Sequence, residues 1–226
     1  MKNFRRVILA LLVAVPLHGQ GLTVTMKEVG PAGQTTPLLQ TDGTRARLDI
    51  PSLVTQVLYD SSTKTMRVLV PLLKIYREYT PAIVQQRIAT DAASGRGQPA
   101  LAPITYKRTG TSKVGEWACT AYDGFRGAEK VVEVCAAEGN AIGLTAADFT
   151  LAHQAIDMVK VIAQAELIER IPVYGTVQSQ GFAGFPVKRV SFKNGKPDVT
   201  SELVGFRREA VPSSNFDVPA GYNKAP

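Results

Sequence analysis

Short segments in which apolar and polar residues alternate constrain the fold of this sequence more than any other feature. Residues 22–26 and 45–50 alternate with the period of a strand that has one buried face. Residues 184–193 and 198–208 flank Asn194-Gly195, a strong signal for a tight hairpin turn. A chain built from such pieces is predicted to fold mainly as an antiparallel sheet.

Two segments carry helical signals instead. One runs from Pro81 to about Ala93 and begins with a proline, which suits a first helical turn. The other runs from Phe149 to Ile168 with apolar residues at helical spacing, after the outline of a capping box between Thr145 and Asp148. The pattern predicts roughly nine to eleven strands and two helices, in the α+β class. We expect a large curved antiparallel sheet with both helices on its concave face.

The first twenty residues have the zones of a secretory signal peptide. A basic start precedes an apolar run over residues 7–17, and Gly19 supplies a small residue near the cut. That run is shorter than the ~20 apolar residues of a membrane span. We expect residues 1–20 to be removed and residues 21–226 to form one periplasmic or secreted domain without a transmembrane segment. The alternative is a buried first helix or strand.

The charge balance argues against a nucleic-acid partner. The formal net charge is +7, and three of the positive charges lie in the first 20 residues, which leaves +4. Basic residues do gather on the last two predicted strands, where a surface patch is predicted at Lys188, Arg189, Arg207 and Arg208. Two interpretations stay open for it, a solvated strand face or a contact with anionic lipid or cell wall.

Both cysteines fall in one predicted hairpin. Strands are predicted over residues 117–123 and 130–136, with the turn 124–127 between them. A hairpin centred on Gly127 places Cys119 opposite Cys135. Directly opposed residues approach bridging distance. Because export permits disulfides, we predict that the two cysteines are bonded. The alternative is a pair of small buried thiols.

Catalytic signals are weak throughout. His153 is the single histidine after residue 20, and its position within a predicted helix favours a surface or hydrogen-bonded role over that of a base. The sequence lacks the serine elbow of hydrolases, and paired cysteines leave too few ligands for zinc. We predict no catalytic residue, no metal site and no cofactor.

Several motifs follow one another along most of the chain: GTRARLD (43–49), VLYD (57–60), TMRVLV (65–70), KIY (74–76), GEWACTAY (115–122), GFPV (184–187) and FDVPAGY (216–222). Their ordered set resembles an exported bacterial family known as domain-of-unknown-function family 4412. Cys135 stands where that family carries an aromatic or aliphatic residue, and this departure favours the disulfide.

The resemblance implies a fold similar to that of the LolA and LppX lipoprotein carriers, a half-barrel sheet whose hollow is closed by helices. It implies an apolar cavity for an acyl chain and no catalytic residues. The helical spacing of the second helix forms an apolar stripe with Phe149, Ala152, Ile156 and Val159. Two interpretations stay open for this stripe: a face that packs on the core, which is the more common case, or a face that meets the ligand.

The function expected from these observations is a periplasmic, non-enzymatic binding protein for an apolar or amphipathic ligand such as a lipid. Two alternatives stay open. One is a structural or interaction protein of the envelope, which would use the sheet edge or the basic strand pair. The other is an unrecognised hydrolase with paired carboxylates.

Overall fold

One sheet of thirteen strands dominates the computed structural model, which describes residues 21–94, 102–162 and 173–225. The predicted signal peptide, residues 1–20, lies outside the described residues. The strands are β1 (Leu22–Gly30), β2 (Gly33–Thr35), β3 (Leu38–Thr41), β4 (Arg45–Ile50), β5 (Thr55–Asp60), β6 (Thr65–Val70), β7 (Ile75–Tyr79), β8 (Thr105–Val114), β9 (Trp117–Arg126), β10 (Glu129–Ala137), β11 (Phe185–Lys193), β12 (Lys196–Arg208) and β13 (Asn223–Lys224). The helices are α1 (Pro81–Ser94), α2 (Gly139–Ile142), α3 (Thr150–Ile162) and α4 (Val177–Gln180).

The strands follow the order β13-β7-β6-β5-β4-β3-β1-β12-β11-β10-β9-β8, and β2 pairs with β1 beside this path. Every pairing is antiparallel except that of β13 with β7. Within the described ranges the outer strands β13 and β8 do not pair with each other, so the sheet is open. The predicted class, a large antiparallel sheet with helices, is therefore confirmed. The strand count was predicted too low, partly because β2 and β13 have only three and two residues and show no readable period.

The two long helices cover one face of the sheet. Helix α3 packs on β4 and β5, and helix α1 packs on α3 and β7. The main core lies between them and the sheet, where the Phe149 and Phe185 rings stack with their centroids 5.1 Å apart. Full burial of one large apolar side chain contributes about 1.5–3 kcal/mol, so this layer supplies much of the stability.

A smaller core lies on the other face of β10. Val132, Val134 and Ala136 alternate with the residues that point into the main core. Phe182 covers them, and its ring meets that of Tyr106 edge to face at 4.9 Å between centroids. Strand β10 is therefore buried on both faces, which explains its nearly continuous apolar sequence.

Helix α3 begins where the sequence predicted a cap. Thr145 and Asp148 form the capping box around a short 3₁₀ turn, Ala146–Phe149, and α3 follows directly. The Arg208 guanidinium donates to both carboxylate oxygens of Asp148 at 2.8 Å, which ties the start of the helix to strand β12. Residues 163–168 of the predicted helix lie outside the described residues.

The C-terminal tail docks on the sheet, as the sequence indicated. Phe216 is buried, and the Arg45 guanidinium lies 4.9 Å from the centroid of its ring. The Asn215 amide donates to the Gln40 side chain at 3.2 Å. Beyond this contact, β13 extends the sheet beside β7.

The predicted disulfide between Cys119 and Cys135 is formed, with a Cα–Cα distance of 5.4 Å. The predicted register was wrong, however, because Cys135 lies opposite Ala121. The pairing shifts between Lys130 and Val132, an irregularity near the turn that sequence symmetry does not reveal. The bond therefore joins diagonal neighbours of the hairpin.

Removing the disulfide is expected to destabilise the fold. The bond closes a loop of 16 residues, for which chain entropy predicts a loss of about 3 kcal/mol in the free energy of unfolding. Urea denaturation of the Cys119→Ala/Cys135→Ala variant measures this loss. Wild-type protein unfolded in reductant serves as the control and should match the variant. An unchanged midpoint in both samples would contradict the expectation.

The capping carboxylate should make stability sensitive to acid. Burial acts to raise the pKa of Asp148, but hydrogen bonds from Arg208 and Thr145 outweigh it and hold the pKa below its ordinary value. The ionised Asp148 therefore adds its full contribution to the free energy of unfolding above its unfolded-state pKa of about 3.9. That contribution is lost as the pH falls through the lower folded-state pKa.

Asp148→Asn should lower the free energy of unfolding near neutral pH, and the difference from wild type should shrink below about pH 4. Urea unfolding across a pH series tests this directly. A difference that stays constant down to about pH 2 would show that the charge on Asp148 does not stabilise the fold.

Candidate functional site

An apolar cleft enters the main core beside the turn Pro51–Leu53, at the end of strand β4. Its apolar walls come mainly from Val24, Met26, Leu39, Leu48, Leu53 and Phe185. The cavity volume is about 40 Å³. Sites for small-molecule ligands usually occupy roughly 300–1,000 Å³, so an occupant larger than water has to widen the cleft.

Strand pairing explains why these side chains meet. Val24 lies opposite Leu39 across the β1–β3 ladder, and Leu39 lies opposite Leu48 across the β3–β4 ladder. Directly opposed residues share one face of a sheet, so the three side chains form a continuous apolar row. This row is the floor of the cleft.

The turn after β4 forms the rim of the cleft. Val54 has a φ of 50°, a left-handed conformation that is unfavourable for a β-branched residue. Its backbone N–H donates to the Pro51 carbonyl oxygen at 2.9 Å, which closes the 3₁₀ turn. The turn thereby holds Leu53 against the cleft.

A buried carboxylate lies in the same cleft. Glu28 is only 6% exposed, and the Ser201 hydroxyl donates to its Oε2 at 3.3 Å. Sequence reasoning missed Glu28. A signal was available, because Glu28 continues the in-facing phase of Leu22, Val24 and Met26 on β1.

The helix stripe predicted to face a ligand lies mostly in the core. Phe149, Ala152 and Ile156 are buried, and Val159 is half-buried. Phe149 and Ala152 belong to the main core, and Val159 packs against it. None of the four lines the apolar cleft.

A second opening, the helix groove, lies between α1, α3 and the turn after β5. Its cavity volume is about 440 Å³, and its lining mixes apolar Val84 and Met158 with polar Lys64 and Gln154. Burial and the nearby Asp60 charge raise the pKa of Tyr59, which also lines the groove, so its hydroxyl stays a hydrogen-bond donor. The groove is larger but far more polar than the apolar cleft.

The predicted basic patch is locally neutralised. Three of its members pair with carboxylates: Lys188 with Glu202 at 2.7 Å, Arg207 with Glu209 at 3.2 Å, and Arg208 with Asp148 at 2.8 Å. The fourth, Arg189, lies opposite Ser201 on the β11–β12 ladder. The structure therefore distributes these residues among separate contacts.

The described residues offer little for metal or nucleophilic chemistry. They contain no group of three or more histidine, cysteine, aspartate or glutamate side chains placed to hold a metal ion. The His153 Nε2 is hydrogen-bonded to the Tyr174 carbonyl oxygen. None of the helices in the described ranges is both long enough and apolar enough to cross a membrane.

Comparison with known proteins identifies a family and solved structures that are similar to this chain. The family model described as "Domain of unknown function (DUF4412)" matches residues 22–222. No curated protein matches the chain. An uncharacterized conserved protein from Thermus thermophilus is 8% identical, with 92% of this chain and 90% of that chain covered and a TM-score of 0.50. At this identity the likeness concerns the fold alone.

Two further solved structures are more distant. A LolA superfamily protein from Nitrosomonas europaea is 10% identical, with 89% of this chain and 91% of that chain covered and a TM-score of 0.26. A putative outer membrane lipoprotein-sorting protein domain from Vibrio parahaemolyticus is also 10% identical, with coverages of 87% and 89% and a TM-score of 0.27.

Proposed function

Because this chain belongs to the family described as a domain of unknown function (DUF4412), a description without an activity, we propose its function from the apolar cleft. The protein is a periplasmic, non-enzymatic binding protein for an apolar or amphipathic ligand such as a lipid. Its mature form is residues 21–226 as one domain, after removal of residues 1–20. The disulfide supports this compartment, because such bonds persist in oxidising environments.

The observation that carries the proposal is an apolar opening that continues into the main core. Transfer of each methylene from water to such a site contributes about 0.8 kcal/mol, so an eight-carbon chain gains about 6 kcal/mol before the entropy costs of binding. Met26 is unbranched and adaptable, and Leu53 lies on a turn at the rim. These two side chains are the ones that we expect to move when the cleft widens.

The same geometry supports a binding role over catalysis. Ser201 and Glu28 place a hydroxyl beside a carboxylate in the cleft. A carboxylate is a weak base for activating a hydroxyl group. A histidine would be a better base, but His153 lies elsewhere in the fold, hydrogen-bonded to the Tyr174 carbonyl oxygen. A hydrolase is therefore less well supported than a carrier.

Two variants on equivalent turns test whether the apolar cleft binds ligand. Leu53→Trp should fill the rim of the cleft and weaken binding of the neutral fluorescent probe N-phenyl-1-naphthylamine by about tenfold or more. The matched control is Leu73→Trp, on the 3₁₀ turn Pro71–Leu73, where Leu73 is 66% exposed and does not line the cleft. Fluorescence titration compares both variants with wild type.

The control should bind the probe like wild type. Equal weakening by both substitutions, or probe binding that neither substitution changes, would contradict the proposed site. Absence of probe binding by wild type, together with absence of any lipid in organic extracts of the purified protein, would contradict the proposed function.

A second candidate, an interaction protein of the envelope, is favoured by exposed apolar residues at one end of the sheet. Leu72 is 80% exposed and Leu73 is 66% exposed. Val54, which is 42% exposed, lies on the neighbouring turn at the same end of the sheet. Lys74 follows them and is exposed. Apolar side chains beside a cation suit insertion into the surface of an anionic membrane.

This candidate predicts that Leu72→Ser/Leu73→Ser reduces co-sedimentation with vesicles that contain anionic phospholipid. The reduction should be several-fold, because two exposed leucines supply most of the apolar area of the turn. Ile88→Ser on helix α1, where Ile88 is 45% exposed, is the matched control and should leave co-sedimentation unchanged. Equal sedimentation of all three proteins would exclude this surface as the contact.

A further inference from the structure

We propose that the hairpin loop between β4 and β5 is a gate for the apolar cleft, closed against backbone strain at Val54 and opened when an apolar chain enters. We call residues 51–54 the gate loop. The inference rests on the proposed function, since it concerns how a ligand reaches the cleft. It gives a role in binding to a residue that does not itself line the cleft.

The gate loop forms one wall of the cleft. Ile50 and Thr55 pair across the β4–β5 ladder, so the four residues between them form a hairpin loop. Ser52 and Leu53 of this loop line the cleft. None of the residues Pro51–Leu53 is buried. Movement of the loop therefore exposes little apolar surface that is now shielded from water.

The other walls are held more firmly. Each of the strands β1, β3 and β4 pairs with a neighbour on both of its edges. Pro37, a cleft residue just before β3, is tied to β1, because the Met26 N–H donates to its carbonyl oxygen at 3.0 Å. The cavity volume of about 40 Å³ is far below the roughly 300–1,000 Å³ of ligand sites. The gate loop is therefore the wall that we expect to move.

Val54 stores strain in the closed loop. Its φ of 50° and ψ of 41° are left-handed, a conformation that is unfavourable for a β-branched residue. Two hydrogen bonds hold the loop closed. The Val54 N–H donates to the Pro51 carbonyl oxygen at 2.9 Å, and the Thr55 hydroxyl donates to the Leu53 carbonyl oxygen at 2.9 Å. Opening exchanges both bonds for bonds to water, and relief of the strain offsets part of that cost.

A second loop of the same shape provides an internal comparison. The 3₁₀ turn Pro71–Leu73 is closed by the Lys74 N–H, which donates to the Pro71 carbonyl oxygen at 3.2 Å, and Lys74 has a φ of 48°. This loop does not line the cleft. Lysine also lacks the branched β-carbon that makes Val54 stiff. Changes at Lys74 should therefore leave ligand access unchanged.

Strain at Val54 sets the fraction of molecules whose gate loop is open. The apparent affinity of a ligand that enters only the open form scales with this fraction. Asparagine accepts left-handed backbone more readily than valine, so it should stabilise the closed form and lower the open fraction. The loss should fall on the association rate, because the complex itself contains the open loop.

Val54→Asn tests the gate. In stopped-flow fluorescence with N-phenyl-1-naphthylamine, association should be about fivefold slower than in wild type, with dissociation nearly unchanged. Urea unfolding without ligand should show a higher midpoint than wild type, because the strain is relieved. Since Val54 does not line the cleft, a lost contact with the probe does not explain such a change.

Three further variants separate strain from other effects. Val54→Thr makes the position polar but keeps the branched β-carbon, so it should bind the probe like wild type. Lys74→Asn places the same new residue in the matched loop and should keep both wild-type rate constants. Val54→Gly also accepts left-handed backbone and should slow association as Val54→Asn does. It takes the place of Val54→Asn if that variant does not fold.

The outcomes separate the gate from the proposed function. Unchanged or faster association in Val54→Asn, or a loss confined to the dissociation rate, would overturn the gate and leave binding in the cleft intact. Equal slowing in Val54→Thr or Lys74→Asn would also overturn it, because neither variant relieves the strain at Val54. Absence of probe binding by wild type would overturn both.

Discussion

The stacking of Phe149 on Phe185 is the contact on which the rest of the structure depends, because it fixes helix α3 to the middle of the sheet. The ring of Phe149 is fully buried and also stacks on that of Tyr174, with 6.2 Å between centroids. The Phe149 and Phe185 rings both belong to the main core between the helices and the sheet. The apolar cleft, which Phe185 also lines, lies beside this contact.

Local patterns predicted the strands and the hairpins, but they did not predict how the sheet is ordered. Alternation and turn signals are properties of neighbouring residues, and Asn194-Gly195 does join β11 and β12. Strand β1, in contrast, lies between β3 and β12, and its Leu22 pairs with Arg208 near the other end of the chain. Such a long-range pairing depends on the shape of the whole core, which local periodicity does not encode.

The candidate site was harder to predict than the fold. An apolar helical stripe has the same sequence pattern whether it meets a core or a ligand, and Phe149 meets the core. Glu28 carried a readable signal, since an acidic residue occupies the buried phase of β1. Its partner Ser201 did not, because their contact exists only after the ends of the chain pair.

The proposed binding role requires that an apolar chain enters the cleft between β1, β3 and β4. Methyl NMR of the wild-type protein titrated with octanol tests it most directly. We expect concentration-dependent shifts of the methyl signals of Val24, Leu39, Leu48 and Leu53, with the methyl signals of exposed Leu72 unchanged. Shifts confined to exposed leucines, or an absence of shifts at the cleft methyls under saturating octanol, would contradict it.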